Sequence, residues 1–196
     1  MSLSLASVLF ALVGCGGPSL DAHVAGLNPV PTDKTTVSVA ADGATLHFVQ
    51  PVDLGFSGET LNEPEGTAEL ALSVHVTTVK LGDVVVPVGR TVDVKVPYHV
   101  KGGDLQGAET ARVELDLELD DAATEALRAH CGKKLTLWYE ATWKASADGQ
   151  LPPDWTISGG EGELHNLLDP PSARIECVEM AAGEGEPAEG GAEAAE

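Results

Sequence analysis

An antiparallel β-sandwich, immunoglobulin-like or transthyretin-like and carrying one short α-helix, is the fold this sequence predicts. Three observations carry the prediction. Apolar and polar residues alternate with period two through most of the middle of the 196-residue chain. Such alternation marks strands with one face on a core and one in water. Glycine-bearing turn signals punctuate the runs. One stretch has helical character, and no repeat of fixed period is evident, which argues against a propeller or solenoid.

About eight short strands are expected. Residues 35–40 and 44–49 come first, joined by Asp42-Gly43. Leu70, Leu72, Val74 and Val76 then alternate with Ala71, Ser73, His75 and Thr77. Residues 84–88 and 92–100 follow, separated by a turn at Val88-Gly89-Arg90. In the second of these, Val92, Val94, Val96, Tyr98 and Val100 alternate with Asp93, Lys95, Pro97 and His99. Past Gly102-Gly103-Asp104, Val113, Leu115, Leu117 and Leu119 alternate with Arg112, Glu114, Asp116 and Glu118. Residues 120–131 read as the helix: two aspartates cap its start, Gly132 stops it, and Ala123, Leu127 and Cys131 form its inward stripe. Strands at 135–144 and 173–180 complete the set, with a long Pro/Gly-rich loop at 145–166 between them.

Charge narrows the function. Acidic residues number 31 against 11 basic ones, a net charge of −20. Such a surface repels phosphate backbones, so nucleic acid is not the expected partner. It equally opposes adsorption to an anionic leaflet through a basic patch. Five of the acids fall in residues 181–196, a low-complexity stretch expected to be a disordered, solvated tail.

Residues 1–14 carry no charge, and residues 3–13 have the length and apolarity of a signal-peptide h-region. Directly behind comes Leu12-Val13-Gly14-Cys15. This resembles the lipobox of bacterial lipoproteins: an aliphatic residue, a small or aliphatic one, a small one, then Cys. The resemblance covers only the first fifteen or so residues. It implies removal of residues 1–14 and acylation of Cys15, which then anchors the protein in a membrane. Gly16 after the lipidated Cys implies the outer membrane. Residues 15–33, with three prolines and three glycines, are expected to be a flexible tether whose last eighteen residues reach on the order of 60 Å. Residues 34–180 are then the β-sandwich domain.

With Cys15 acylated, Cys131 and Cys177 are the remaining thiols. The first is in phase with Leu127 and the second with Ile175, so both point inward, and export would place them in an oxidising compartment. A disulfide between them is expected; two separate buried thiols are the alternative.

Motifs for catalysis are absent. Gly55-Phe56-Ser57-Gly58 misses the nucleophile-elbow spacing by one residue, and there is no phosphate-cradling loop or zinc-protease motif. No cofactor is expected. His75 and His99 lie on the polar faces of their strands. Were those strands neighbours, the two imidazoles with Asp93 or Glu114 would make a weak metal site; solvated surface histidines are the ordinary reading. Trp143 is in phase with the core. Trp138 lies on the opposite face, and Trp155 follows Pro152-Pro153 in the long loop, so these two are the candidate recognition residues; cover of Trp138 by the helix or by the 145–166 loop is the ordinary alternative. Together these features predict a lipid-anchored envelope protein with a non-enzymatic binding or assembly role towards an envelope protein or glycan. The competing expectation is a metal-binding or hydrolytic periplasmic protein with a site of scattered residues.

Overall fold

The alternating runs become long strands. The computed structural model describes residues 17–165 and 170–178; the expected signal segment, Cys15 and the acidic tail lie outside them. In chain order the elements are β1 (Ser19–Pro29), β2 (Thr36–Ala40), β3 (Gly43–Leu61), β4 (Gly66–Leu81), β5 (Val84–Val100), β6 (Ala111–Leu119), α1 (Asp121–Arg128), β7 (Lys134–Asp148), β8 (Trp155–Ser158), β9 (Gly160–His165) and β10 (Ser172–Cys177). The chain is mainly β with one short helix, and its strands form an open mixed sheet. Neighbours run β5-β4-β7-β10-β2-β3-β1-β8, with β6 also on β3 and β9 also on β7. The expectation of a purely antiparallel arrangement is corrected at two places. β8 runs parallel to β1, and β10 parallel to β2, because in each pair both strands set out from the same end of the molecule.

The tether is the largest correction. Residues 19–29 are a strand paired with β3 on one side and β8 on the other. Leu20, Ala22 and Val24 alternate inward, the register shifts between Val24 and Gly26, and Leu27 resumes the buried face. That shift is a β-bulge, which moves the inward positions by one. Pro18 and Pro29 mark the strand's ends, where a missing N–H costs little. The folded domain therefore begins near Ser19, and the 60 Å reach disappears. β2 continues along the same edge of β3. Between the two strands, the buried Thr35 hydroxyl donates to the Val49 carbonyl and accepts from the Val49 N–H, both at 3.1 Å.

Other boundaries move for local reasons. β3 runs on through Pro51 to Leu61, beyond the expected end at Val49. Pro51 keeps its register opposite Arg112, and its carbonyl accepts from Val30 N–H at 2.8 Å. Gly89 is not in a hairpin turn. It lies in a bulge of the continuous strand β5, with φ +58°, where the β4–β5 register shifts between Val76 and Thr78. The true hairpin is at Gly82-Asp83 between Leu81 and Val84, and Gly82 has φ +59°. After Gly102-Gly103-Asp104 the chain leaves β5 and delivers β6 to β3. The expected 145–166 loop contains the end of β7 and two further strands, β8 and β9.

The helix matches its capping signal. Asp120 accepts from the Ala123 N–H at 2.8 Å, and Leu127 is fully buried. Cys131 lies past its end in an exposed turn, not on the inward stripe. It nevertheless forms the disulfide with Cys177, across a Cα–Cα distance of 5.5 Å.

One apolar cluster unites the inward faces. Phe48 of β3 meets Tyr139 of β7 edge-on at 5.3 Å, and Phe56 of β3 stacks on Tyr98 of β5 at 4.6 Å. The registers also define two poles. Ser19, Leu61, Gly66 and Trp155 lie at one, as Ser19 pairs with Leu61 and Leu20 with Trp155, while Trp155 lies against Gly66. The Gly43 end of β3, α1, the disulfide, the Gly82 turn and Leu137 lie at the other.

Candidate recognition surface

Four strands, β5, β4, β7 and β9, turn a polar face to solvent. Their registers line side chains into rows: Pro87, Thr78, Glu140 and His165; then Thr91, His75, Thr142 and Glu163; then Asp93, Ser73, Lys144 and Glu161. Beyond the first row, Lys80 is opposite Val85 on one side and Trp138 on the other. The pleat explains Trp138. Leu137 and Tyr139 on either side point into the core, so Trp138 must point out, and it remains 40% exposed. Neither the helix nor any other described element covers it.

An open pocket of about 440 Å³ lies beside it, lined by Thr78, Lys80, Trp138, Tyr139, Glu140 and His165. The β4 bulge is immediately adjacent, and bulges raise local twist, which re-aims the side chains around Thr78. Lys80 Nζ is 3.9 Å from Glu140 Oε1, and Thr77 Oγ1 donates to the Glu140 carbonyl at 2.9 Å. His165 Nε2 is 3.2 Å from Glu163 Oε2. The wall thus offers an aromatic face, an ammonium, a carboxylate and an imidazole, the mixture of apolar area and oriented polar groups that ligand pockets use. Further along the same face Lys95 bridges Glu69 at 2.7 Å and Asp148 at 2.9 Å. Its hydrogen bond holds the Asp148 carboxyl below its ordinary range, and the two carboxylates hold the Lys95 ammonium charged well above its own.

The remaining expected sites divide. His75 and His99 are on neighbouring strands, but His75 pairs with Thr91 whereas His99 pairs with Thr67. Eight register positions separate them, roughly 26 Å at strand rise. His75 Nδ1 meets Thr91 Oγ1 at 3.0 Å, and His99 Nε2 meets Glu109 at 3.4 Å. Glu114 is opposite Val49, on a different part of the sheet. The structure does not bring these residues together. Among the described residues no group of three His, Cys, Asp or Glu side chains is placed to hold an ion.

Trp155 is also corrected. It opens β8 and is buried, edge-on to Tyr98 at 6.3 Å and packed against Gly66, where a Cβ would come within 2.9 Å of its ring. It is core, not a recognition residue. Burial pushes the neighbouring Tyr98 phenol up to about 12, and its hydroxyl donates to the Leu105 carbonyl at 3.0 Å. Phase along the strand already puts Glu140 on the outward face with Trp138. Sequence reasoning missed Lys80 and His165 as companions: Lys80 comes from β4, and His165 was hidden because β9 was read as loop.

No protein-family model, no curated protein and no solved structure matches the chain. Among the described residues no helix is long and apolar enough to cross a membrane.

Proposed function

We propose that this chain is a lipid-anchored protein of the bacterial cell envelope, of the outer membrane, with a non-enzymatic binding or assembly role. Its domain is a two-layer β-sandwich, a reading supported by the ring contacts that join β3 to β5 and β7. The observation that carries the proposal is Leu12-Val13-Gly14-Cys15 directly behind an uncharged apolar run. The disulfide supports it twice. It belongs to an oxidising compartment, and it leaves Cys15 as the one cysteine of three outside a bridge. The Trp138 surface is the recognition face, taking an envelope protein or glycan through aromatic contact and the polar rows beside it.

Fractionation of cells expressing the full chain or Cys15→Ser tests the anchor. The full chain is expected in the membrane fraction and the variant in the soluble one; unchanged membrane association of the variant overturns lipidation. Affinity capture from solubilised envelopes tests the face: a component retained by the native chain and lost with Trp138→Ala is expected. Equal retention by both removes Trp138 from recognition.

A further inference from the structure

We infer that the pole formed by Ser19, Leu61 and the β3–β4 turn sits against the lipid leaflet, and that the disulfide pole with Trp138 faces away from it. The inference rests on the lipidation of Cys15 proposed above. Three residues, Gly16, Gly17 and Pro18, separate Cys15 from the first residue of β1. Four residue steps span at most about 14 Å. β1 is held over ten paired positions to β3 and over four to β8, so its start does not peel away to lengthen the link. An acyl chain on Cys15 therefore holds the Ser19 end of the domain beside the headgroups.

The side chains at this pole fit that position. Leu61, opposite Ser19, is 55% exposed and is one of few large apolar residues so exposed among the described residues. Asn62 and Glu63 follow in left-handed backbone, with φ of +56° and +49°, and turn the chain back into β4. Glu63, Glu65, Asp104 and Asp154 are exposed around the same end, with Lys101 the nearby cation. This acidic rim is repelled by anionic lipid, so the pole is held at the leaflet by its covalent chain and touches it through Leu61, without charge attraction. β3 alone is 19 residues long, so its far end stands on the order of 60 Å away. Lys80 and Trp138 open at that far end, the side from which a partner across the envelope approaches.

Photo-crosslinking in membranes tests this on the full lipidated chain. A benzoylphenylalanine is placed at Leu61 in one variant and at Asp83, in the opposite hairpin turn, in another. Lipid adducts are expected at least fivefold more abundant from position 61. Equal yields from both positions, or none from 61 while the protein remains in the membrane fraction, overturn the orientation and leave the anchor standing. Protein in the soluble fraction overturns the anchor and the orientation with it. A third variant carries a 20-residue Gly/Ser insertion after Gly17, which adds roughly 25 Å of mean span. It is expected to remain membrane-bound and to lose most of the adduct at 61; undiminished adduct overturns the short-link argument.

Discussion

Replacing both cysteines of the bridge with alanine separates what the fold holds by packing from what it holds by covalent constraint. Cys131 and Cys177 are 46 residues apart in sequence. Closing a loop of that length lowers the entropy of the unfolded chain by an amount worth about 4 kcal/mol at 25 °C. The folded state already brings the same ends together: Gly132 N–H donates to the Ile175 carbonyl and Ile175 N–H to the Lys133 carbonyl, each at 2.9 Å. Cys131→Ala with Cys177→Ala is therefore expected to fold, and its loss of stability arises in the unfolded ensemble. Urea unfolding followed by tryptophan fluorescence measures it. With a slope of about 2 kcal/mol/M the midpoint falls by about 2 M. The slope itself rises, because an uncrosslinked chain exposes more surface when unfolded. A loss below about 1 kcal/mol with an unchanged slope would refute the loop-closure reasoning.

Two further outcomes follow from the aromatic residues. Trp155→Ala empties a buried site against Tyr98 and is expected to cost about 3–5 kcal/mol in the same assay, whereas Trp138→Ala, on the open face, changes stability by less than about 1 kcal/mol; the reverse ranking would contradict the placement of both. Burial raises the folded Tyr98 phenol from its ordinary 10 to about 12, so its contribution is complete below pH 10 and declines as pH rises from 10 to 12. Stability measured across that window is expected to fall less steeply for Tyr98→Phe, and an unchanged slope would remove Tyr98 as a source of the alkaline loss.

The strands easiest to read were those with uninterrupted parity. β4, β6 and β7 keep apolar residues on one side for their whole expected length, and the structure extends them by a few residues at the ends. Parity failed where a bulge or a glycine interrupts it. β1 alternates from Leu20 to Val24 and then slips by one, so Leu27 looked out of phase and its prolines read as tether. β8 and β9 are four and six residues long, and Gly159 between them with Gly160 and Gly162 in β9 makes the stretch glycine-rich, so local propensity says loop and tertiary pairing says strand. The disulfide was assigned correctly from a partly wrong premise: Cys131 is exposed in a turn, and the hydrogen bonding of that turn to β10, not an inward stripe, brings the sulfurs together. At the candidate recognition face, the outward position of Trp138 was legible from phase alone. Trp155 was misplaced because a tryptophan after two prolines reads as loop, whereas Gly66 on another strand leaves it a groove to fill.

The position of β1 between β3 and β8 also decides how the molecule bears load. Hydrogen bonds to β3 and β8 run across the strand, so tension applied at Ser19 along the strand axis strains both ladders in shear and loads many bonds at once. A strand pulled at right angles to its axis would instead unzip one bond at a time. In the orientation proposed above, a protein held by its N-terminus and loaded at the opposite pole is gripped through a strand paired on both sides, so the load passes from β1 into β3 and β8.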